Sequence, residues 1–172
     1  IYKQYSCDEL VAPYCTVVPT NVEVGGSDDG HHGTTVVAGA IADYTEGQGT
    51  GQSLGPATGF SGWEERASGF APEATAILFG RAGADDNATR IAQHAEAFEL
   101  AVDDGADVIS FSQGSGAQRC HPSADLSSEL AAEDAFDDGV LVVACTGNHG
   151  PTTAICDTAC GTWSVGSLDK TL

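Results

Sequence analysis

The most regular hydrophobic pattern in the chain begins at Ala76. Ala76-Ile77-Leu78-Phe79 is a short apolar run of strand length. Ile91, Ala95, Phe98 and Val102 then recur at spacings of four, three and four, which places them on one face of a helix. Asn87 offers that helix an N-cap and Gly105 a stop. Val108-Ile109 opens a further strand. A second helix is expected from about Leu126 to Asp138, with a weaker stripe through Leu130 and Phe136, and Gly139 ends it. Val140 to Ala144 is an unbroken apolar run, which predicts a strand buried on both faces. The pattern as a whole predicts strands near 76–80, 107–112, 140–146 and 162–166.

Two of these helix ends resemble each other. Ala101-Val102-Asp103-Asp104-Gly105 leads into one strand, and Ala135-Phe136-Asp137-Asp138-Gly139 leads into the next. Helix, glycine stop and buried strand, repeated, is the arrangement of crossovers in a parallel sheet. The expected fold class is therefore α/β, a doubly wound, mainly parallel sheet, in one domain spanning residues 1–172. In such sheets function gathers at the carboxyl ends of the strands, here Ser112 to Gly116 and Thr146 to Gly150. The rest of the chain is less regular. Residues 1–27 give no clear assignment beyond a short apolar piece at Val17-Val18. Asp28 to Gly33 is rich in turn formers. Thr34 to Asp43 is rich in Ala and Val and is compatible with a buried helix. Residues 46–69, rich in Gly, Ser, Thr and Gln, read as a long surface loop.

Charge narrows the choice of partners. The chain has 25 acidic and 6 basic residues, a formal net charge of −19. Such a surface repels nucleic acid and anionic membranes, so neither is expected as a partner. Solubility in salt, cation binding and a merely well-hydrated face all remain open. No calcium-loop pattern supports a calcium site, and no cofactor is expected. No apolar run approaches the roughly 20 residues that a membrane helix requires, so no membrane insertion is expected. The chain starts at Ile1 without a charged-then-apolar leader, which reads as a mature or excised piece of a longer precursor.

Six cysteines in a chain this short point to disulfides and an oxidising, extracellular setting. Cys7 and Cys15 lie close in sequence, as do Cys156 and Cys160. At least two disulfides are expected, with Cys7–Cys15 or Cys156–Cys160 among them. Zinc on Cys156 and Cys160 is the alternative, but no second close pair with ligand spacing lies nearby. Cys145 sits in an apolar strand and reads equally as a buried free thiol. The triplet Asn87-Ala88-Thr89 makes Asn87 a glycosylation candidate, in keeping with secretion.

Three segments carry candidate chemistry. His32, flanked by Gly33 just before the Ala/Val-rich segment, is a candidate general base, since that role needs an imidazole with a free face; a surface histidine without a role is the plainer reading. Asn148, between Gly147 and His149-Gly150 after the most apolar strand, can aim an amide donor into a cleft, as an oxyanion hole requires; an ordinary Asn-containing turn is the alternative. Ser112-Gln113-Gly114, at the end of an apolar strand, offers a backbone edge to an extended peptide; a glycine-rich turn is the alternative.

Taken together and in order, these segments resemble the subtilisin-like serine proteases, the subtilase family. His32-Gly33-Thr34 with Val36 resembles the family's His-Gly-Thr-x-Val motif. Gly69-Phe70-Ala71-Pro72-Glu73-Ala74 resembles its Gly-Val-Ala-Pro-x-Ala segment. Asp107 to Gly114 resembles the strand ending in Ser-Leu-Gly that lines the substrate cleft. Gly139 to Gly150 resembles the strand that ends in Gly-Asn-x-Gly, and Trp163 to Ser167 the strand after it. The resemblance covers residues 28 to 169. It implies a three-layer α/β/α fold, His32 as general base, Asn148 as oxyanion donor and Ser112 to Gly114 as the strand that pairs with substrate. It implies an endopeptidase acting on peptides or proteins.

The sequence also departs from the family. Within these residues no Asp-Thr-Gly or Asp-Ser-Gly motif precedes the histidine, and Asp8 sits in Ser6-Cys7-Asp8-Glu9 instead. No Gly-Thr-Ser-x-Ala-x-Pro nucleophile motif follows Val165. Cys145 and Thr146 stand where the family has two alanines. Two functions are therefore weighed. One is a segment of an endopeptidase completed by neighbouring segments of the same precursor. The other is an inactive subtilase-like domain used as a structural or binding module. In either case the 172 residues alone are expected not to cleave peptides through a triad.

Overall fold

A computed structural model of the chain describes residues 1–20, 37, 40–41, 69–80, 87–112, 126–145 and 162–166. The elements in order are β1 (Lys3–Ser6), β2 (Thr16–Val17), β3 (Ile77–Gly80), α1 (Asn87–Asp103), β4 (Val108–Phe111), α2 (Leu126–Asp137), β5 (Leu141–Cys145) and β6 (Thr162–Val165). They form two three-stranded sheets, ordered β2-β1-β3 and β4-β5-β6. Every pairing is parallel except the short β1–β2 pair. The mainly parallel α/β architecture and the four strands that the apolar runs predicted are present. The loop expected at 46–69 and the helix expected over 34–43 lie almost wholly outside the described residues; Val37, Ala40 and Ile41 are helical.

The repeated Asp-Asp-Gly ends of the helices do the same structural work. Gly105 and Gly139 take left-handed backbone angles, φ +77° and +89°. After α1, Ala106 N–H donates to the Ala101 carbonyl and Gly105 N–H to that of Val102. After α2, Val140 N–H donates to Ala135 and Gly139 N–H to Phe136. Both are the paired bonds of a Schellman ending, in which a positive-φ residue lets the chain turn back and cap the last carbonyls. Each ending then releases the chain directly into a strand.

Two cores flank α1. On one side Phe98 joins Ala131, Ala132 and Ala135 of α2, with Val140 and Val142, and Ile109 and Phe111 pack alongside. On the other side Ala97 and Leu100 meet Tyr5, Ile77, Phe79 and the Cys7–Cys15 disulfide. The stripe proposed for α1 is thus real but is only half of what the helix buries.

The stripe proposed for α2 is corrected. Leu130 and Phe136 are exposed, and the alanines carry the contact with α1. Small side chains let two helices approach closely, and the large ones then fall outside the seam. The β5 run is also not closed on both faces. Val142 and Ala144 are buried, whereas Leu141, Val143 and Cys145 are half-buried. In register with the latter set lie Val108, Trp163 and Val165, all exposed. The helices α1 and α2 cover the other face.

The N-terminal residues, unassigned from sequence, are tied to α1 by polar anchors. Lys3 Nζ lies 2.6 Å from Asp104 Oδ1, and the Tyr5 hydroxyl donates to Asp104 Oδ2 at 2.8 Å. The last turn of α1 contains no basic residue, so the Lys3 ammonium supplies the cation that a helix C-terminus favours. At the opposite end of β1, Glu96 accepts backbone N–H bonds from Tyr14 (2.8 Å) and Cys15 (3.1 Å). Gln93 Nε2 donates to the Glu9 carbonyl at 2.9 Å. Gln93 is fully buried, and its Oε1 has no partner among the described residues.

The hydrogen bond from Lys3, and secondarily that from Tyr5, holds the Asp104 carboxyl below its ordinary value against the opposing effect of burial. Asp104 in turn keeps the Lys3 ammonium protonated above the usual lysine range. A depressed carboxylate contributes stability above its unfolded value and loses it as pH falls; a raised ammonium contributes below its ordinary value and loses it as pH rises. The latch therefore stabilises across the neutral range and weakens at both extremes. Asp104→Asn is expected to lower the urea midpoint at pH 7, and the gap from wild type should narrow at pH 2.

The two cores give a second expectation. Phe98, 4% exposed, and Phe136, 46% exposed, differ in what their loss removes. Phe98→Ala should destabilise by about 3–5 kcal/mol through cavity formation. Phe136→Ala should cost under about 1 kcal/mol. Urea unfolding of the two variants checks the contrast.

Candidate functional site

The strand directions define where a site can form. Strands β4, β5 and β6 run parallel, with Phe111 paired to Ala144 and Cys145 paired to Val165. Their carboxyl ends therefore share one rim. Ser112 is the first residue beyond β4 and is exposed. Continued by one step, the register sets Ser112 opposite Cys145, the last residue of β5 and a half-buried free thiol. The segments bearing Ser112 to Gly114 and Asn148 thus leave adjacent strands at the same rim. Gln113, Gly114, Asn148 and His32 themselves lie outside the described residues. So do Cys156 and Cys160. Asn87 is the first residue of α1.

Aromatic packing fixes the end of β4. Phe111 meets the His94 ring edge-on at 5.0 Å and the Phe98 ring at 5.3 Å, both from α1. The buried side of the strand end is therefore anchored while Ser112 points onward into solvent. At its far edge β4 pairs with no strand among the described residues.

A second contact bears on His32. Gly69 lies against the helical residues Ala40 and Ile41, which follow the His32 motif. A Cβ on Gly69 would come within 2.6 Å of the Ala40 carbonyl carbon and the Ile41 nitrogen. Ala71 N–H donates to the Ala40 carbonyl at 2.8 Å. The Gly-x-Ala-Pro segment is thus a brace for helical residues that follow the histidine in sequence. Its alanine supplies the hydrogen bond, and its glycine permits the approach. From sequence this segment stood out only through resemblance; its pairing with Ala40 bridges some thirty residues of chain and leaves no local pattern.

Sequence reasoning also passed over Gln93, Glu96 and Asp104. Gln93 and Glu96 sit on α1 and Asp104 directly follows it, all opposite the apolar stripe, and they look like ordinary solvated positions. A concavity of about 370 Å³ between α1 and α2 is lined by Glu99, Asp103, Asp134, Asp137 and Asp138. No group of His, Cys, Asp and Glu among the described residues is arranged to hold a metal ion. No helix among them is long and apolar enough to cross a membrane.

Comparison with known proteins bears on this arrangement. The subtilase family model matches residues 16–170, most of the chain. No curated protein matches. Among solved structures, the prenylagaramide maturation protease PagA is 27% identical over 62% of this chain and 38% of its own, with a TM-score of 0.49. A psychrophilic protease, S41, is 26% identical over 86% of this chain and 40% of its own, also at 0.49. The patellamide maturation protease PatG is 21% identical over 78% of this chain and 32% of its own, at 0.42. The chain spans well under half the length of each.

The brace at Gly69 gives a direct expectation. Gly69→Ala forces a methyl into backbone atoms and should destabilise by about 1–3 kcal/mol through overpacking. Gly105→Ala meets nothing within 4 Å but keeps a φ of +77°, and should cost about 1–2 kcal/mol through backbone strain alone. Hydrogen exchange separates them. Gly69→Ala should raise exchange around residues 37–41, and Gly105→Ala at the end of α1.

Proposed function

We propose that this chain, which belongs to the subtilase family, forms part of a secreted serine endopeptidase. In this reading His32 is the general base, Asn148 the oxyanion donor, and Ser112-Gln113-Gly114 the strand that pairs with the substrate peptide. The observation that carries it is the family match over residues 16–170, which takes in all three segments. The shared rim of β4 and β5 supports it: two of those segments leave from neighbouring strand ends.

The chemistry follows from these positions. A peptide laid along the chain beyond β4 exchanges backbone hydrogen bonds with Ser112 to Gly114 and presents its carbonyl to the rim. His32 takes the proton from an attacking serine hydroxyl and returns it to the leaving amine. The Asn148 amide donates to the oxygen as it becomes an oxyanion, where a donor stabilises the transition state more than the ground state. Of the three triad side chains, the family resemblance assigns only His32 within these residues. Catalysis therefore requires a polypeptide that also supplies the serine and the aspartate. Without the aspartate the histidine tautomer is unfixed, a loss of about 10⁴-fold in rate in enzymes of this type.

The Cys7–Cys15 disulfide fits an extracellular setting, since such bonds persist where the medium is oxidising. The substrates proposed are peptides and proteins.

Labelling with a fluorophosphonate serine probe tests the reading. The 172-residue chain alone should not react. A polypeptide that joins it to the Asp-Thr-Gly and Gly-Thr-Ser motifs should label one serine, and His32→Ala should abolish that labelling. A joined polypeptide that remains unreactive would assign the chain to the inactive, structural class instead.

A further inference from the structure

We propose that the disulfide-closed loop of residues 8–14 is a docking knob for the substrate chain, set on the rim of the cleft and suited to a peptide stretch that carries an apolar side chain beside Lys or Arg. The proposal rests on the peptidase reading for the identity of the partner, and on the following geometry for the surface itself.

The loop opens on the rim that bears Ser112. Lys3, at the start of β1, is bonded to Asp104 at the end of α1. Glu9, Tyr14 and Cys15, beyond the end of β1, are bonded to Gln93 and Glu96 near the middle of α1. Strand β1 and helix α1 are therefore antiparallel. Helix α1 passes through residues 104–107 straight into β4, so β4 starts at the end where β1 starts. The His94–Phe111 contact agrees, joining the first half of α1 to the end of β4. The chain leaving β1 at Cys7 and the chain leaving β4 at Ser112 accordingly emerge at the same rim.

The loop is held stiffly. Cys7 and Cys15, both buried, close it covalently. Glu9 N–H donates to the Tyr14 carbonyl at 3.3 Å, and Gln93 and Glu96 hold the Glu9 carbonyl and the backbone N–H groups of Tyr14 and the closing Cys15. Between those fixed points Leu10 is 68% exposed and Val11 72% exposed. Two adjacent aliphatic side chains held out in solvent on a preorganised loop lose little entropy when a partner covers them.

Charge selects the partner. Asp8 and Glu9 are exposed beside the apolar pair, so the complementary surface is apolar and cationic. The chain as a whole carries −19, which attracts cationic segments and repels a second copy. A flexible substrate chain that enters the cleft can lay a distant stretch on the knob, so that both contacts act on one molecule.

Fluorescence anisotropy with a labelled peptide of Leu, Val and Arg, and with its counterpart in which Asp replaces Arg, tests the knob directly. The basic peptide should bind and the acidic one should not. Leu10→Ser with Val11→Ser should weaken binding about tenfold, as truncation of a central apolar contact does. Asp8→Asn with Glu9→Gln should also weaken it, and should remove most of its dependence on salt. Equal affinity in wild type and both variants overturns the proposal. So does concentration-dependent self-association that Leu10→Ser with Val11→Ser abolishes, because the knob would then serve a second copy. The peptidase reading is tested apart from this, by hydrolysis of a short chromogenic peptide by the wild-type protein joined to its missing motifs. Failure there removes the enzyme without touching the anisotropy result.

Discussion

Helix α1 is buried on two faces, and the placement of both sheets depends on that. Residues 93, 97, 100 and 104 fall on one side of the helix, and 95, 98 and 102 on the other, because 3.6 residues per turn separates these two sets widely. The second side is apolar and packs on α2 and the β4-β5-β6 sheet. The first is mixed. Ala97 and Leu100 pack against Tyr5 and Phe79, and the anchors at its two ends are polar. Apolar contact alone is non-directional. The bonds from Gln93, Glu96 and Asp104 add direction, and so set the register of β1 along the helix.

Those anchors use acidic groups in a chain already crowded with them. Glu96 is satisfied by two backbone N–H donors, so it needs no cation. Asp104 takes Lys3, one of only six basic residues. Carboxylates with specific donors thus hold the structure, while those around the α1–α2 groove remain a diffuse negative field. Salt screens such a field over about 10 Å at 0.1 M. It acts much less on short, partly buried bonds. Added salt should therefore relieve repulsion without dissolving the anchors.

The rim gains its features from different levels of structure. Parallel pairing brings the ends of β4 and β5 together. The ring of Phe111, wedged between His94 and Phe98, fixes one strand end. The Gly69–Ala40 contact braces helical residues that follow the His32 motif in sequence. The disulfide loop adds an exposed apolar pair beside acidic side chains. None of these parts makes a cleft alone, and in the proposed enzyme they are what positions a peptide relative to the chemistry.

Local regularity made much of this legible before any coordinates. The strand at 141–145, the helix at 87–103 and both glycine stops follow from apolar periodicity and from the φ that a glycine permits. Short spacing offered Cys7–Cys15 as one of two close pairs, and the ordered motifs around His32, Ser112 and Asn148 were enough to indicate the family. The rest turned on contacts between segments far apart in sequence. Leu130 and Phe136 looked like a core stripe until the close approach of α1 and α2 gave the seam to alanines. Gln93 and Glu96 looked solvated until the N-terminal loop came to lie over them. Periodicity records which faces of an element are apolar, and so determined the elements. It carries no information on which neighbour arrives at a face or how closely, and that is what tertiary packing decided.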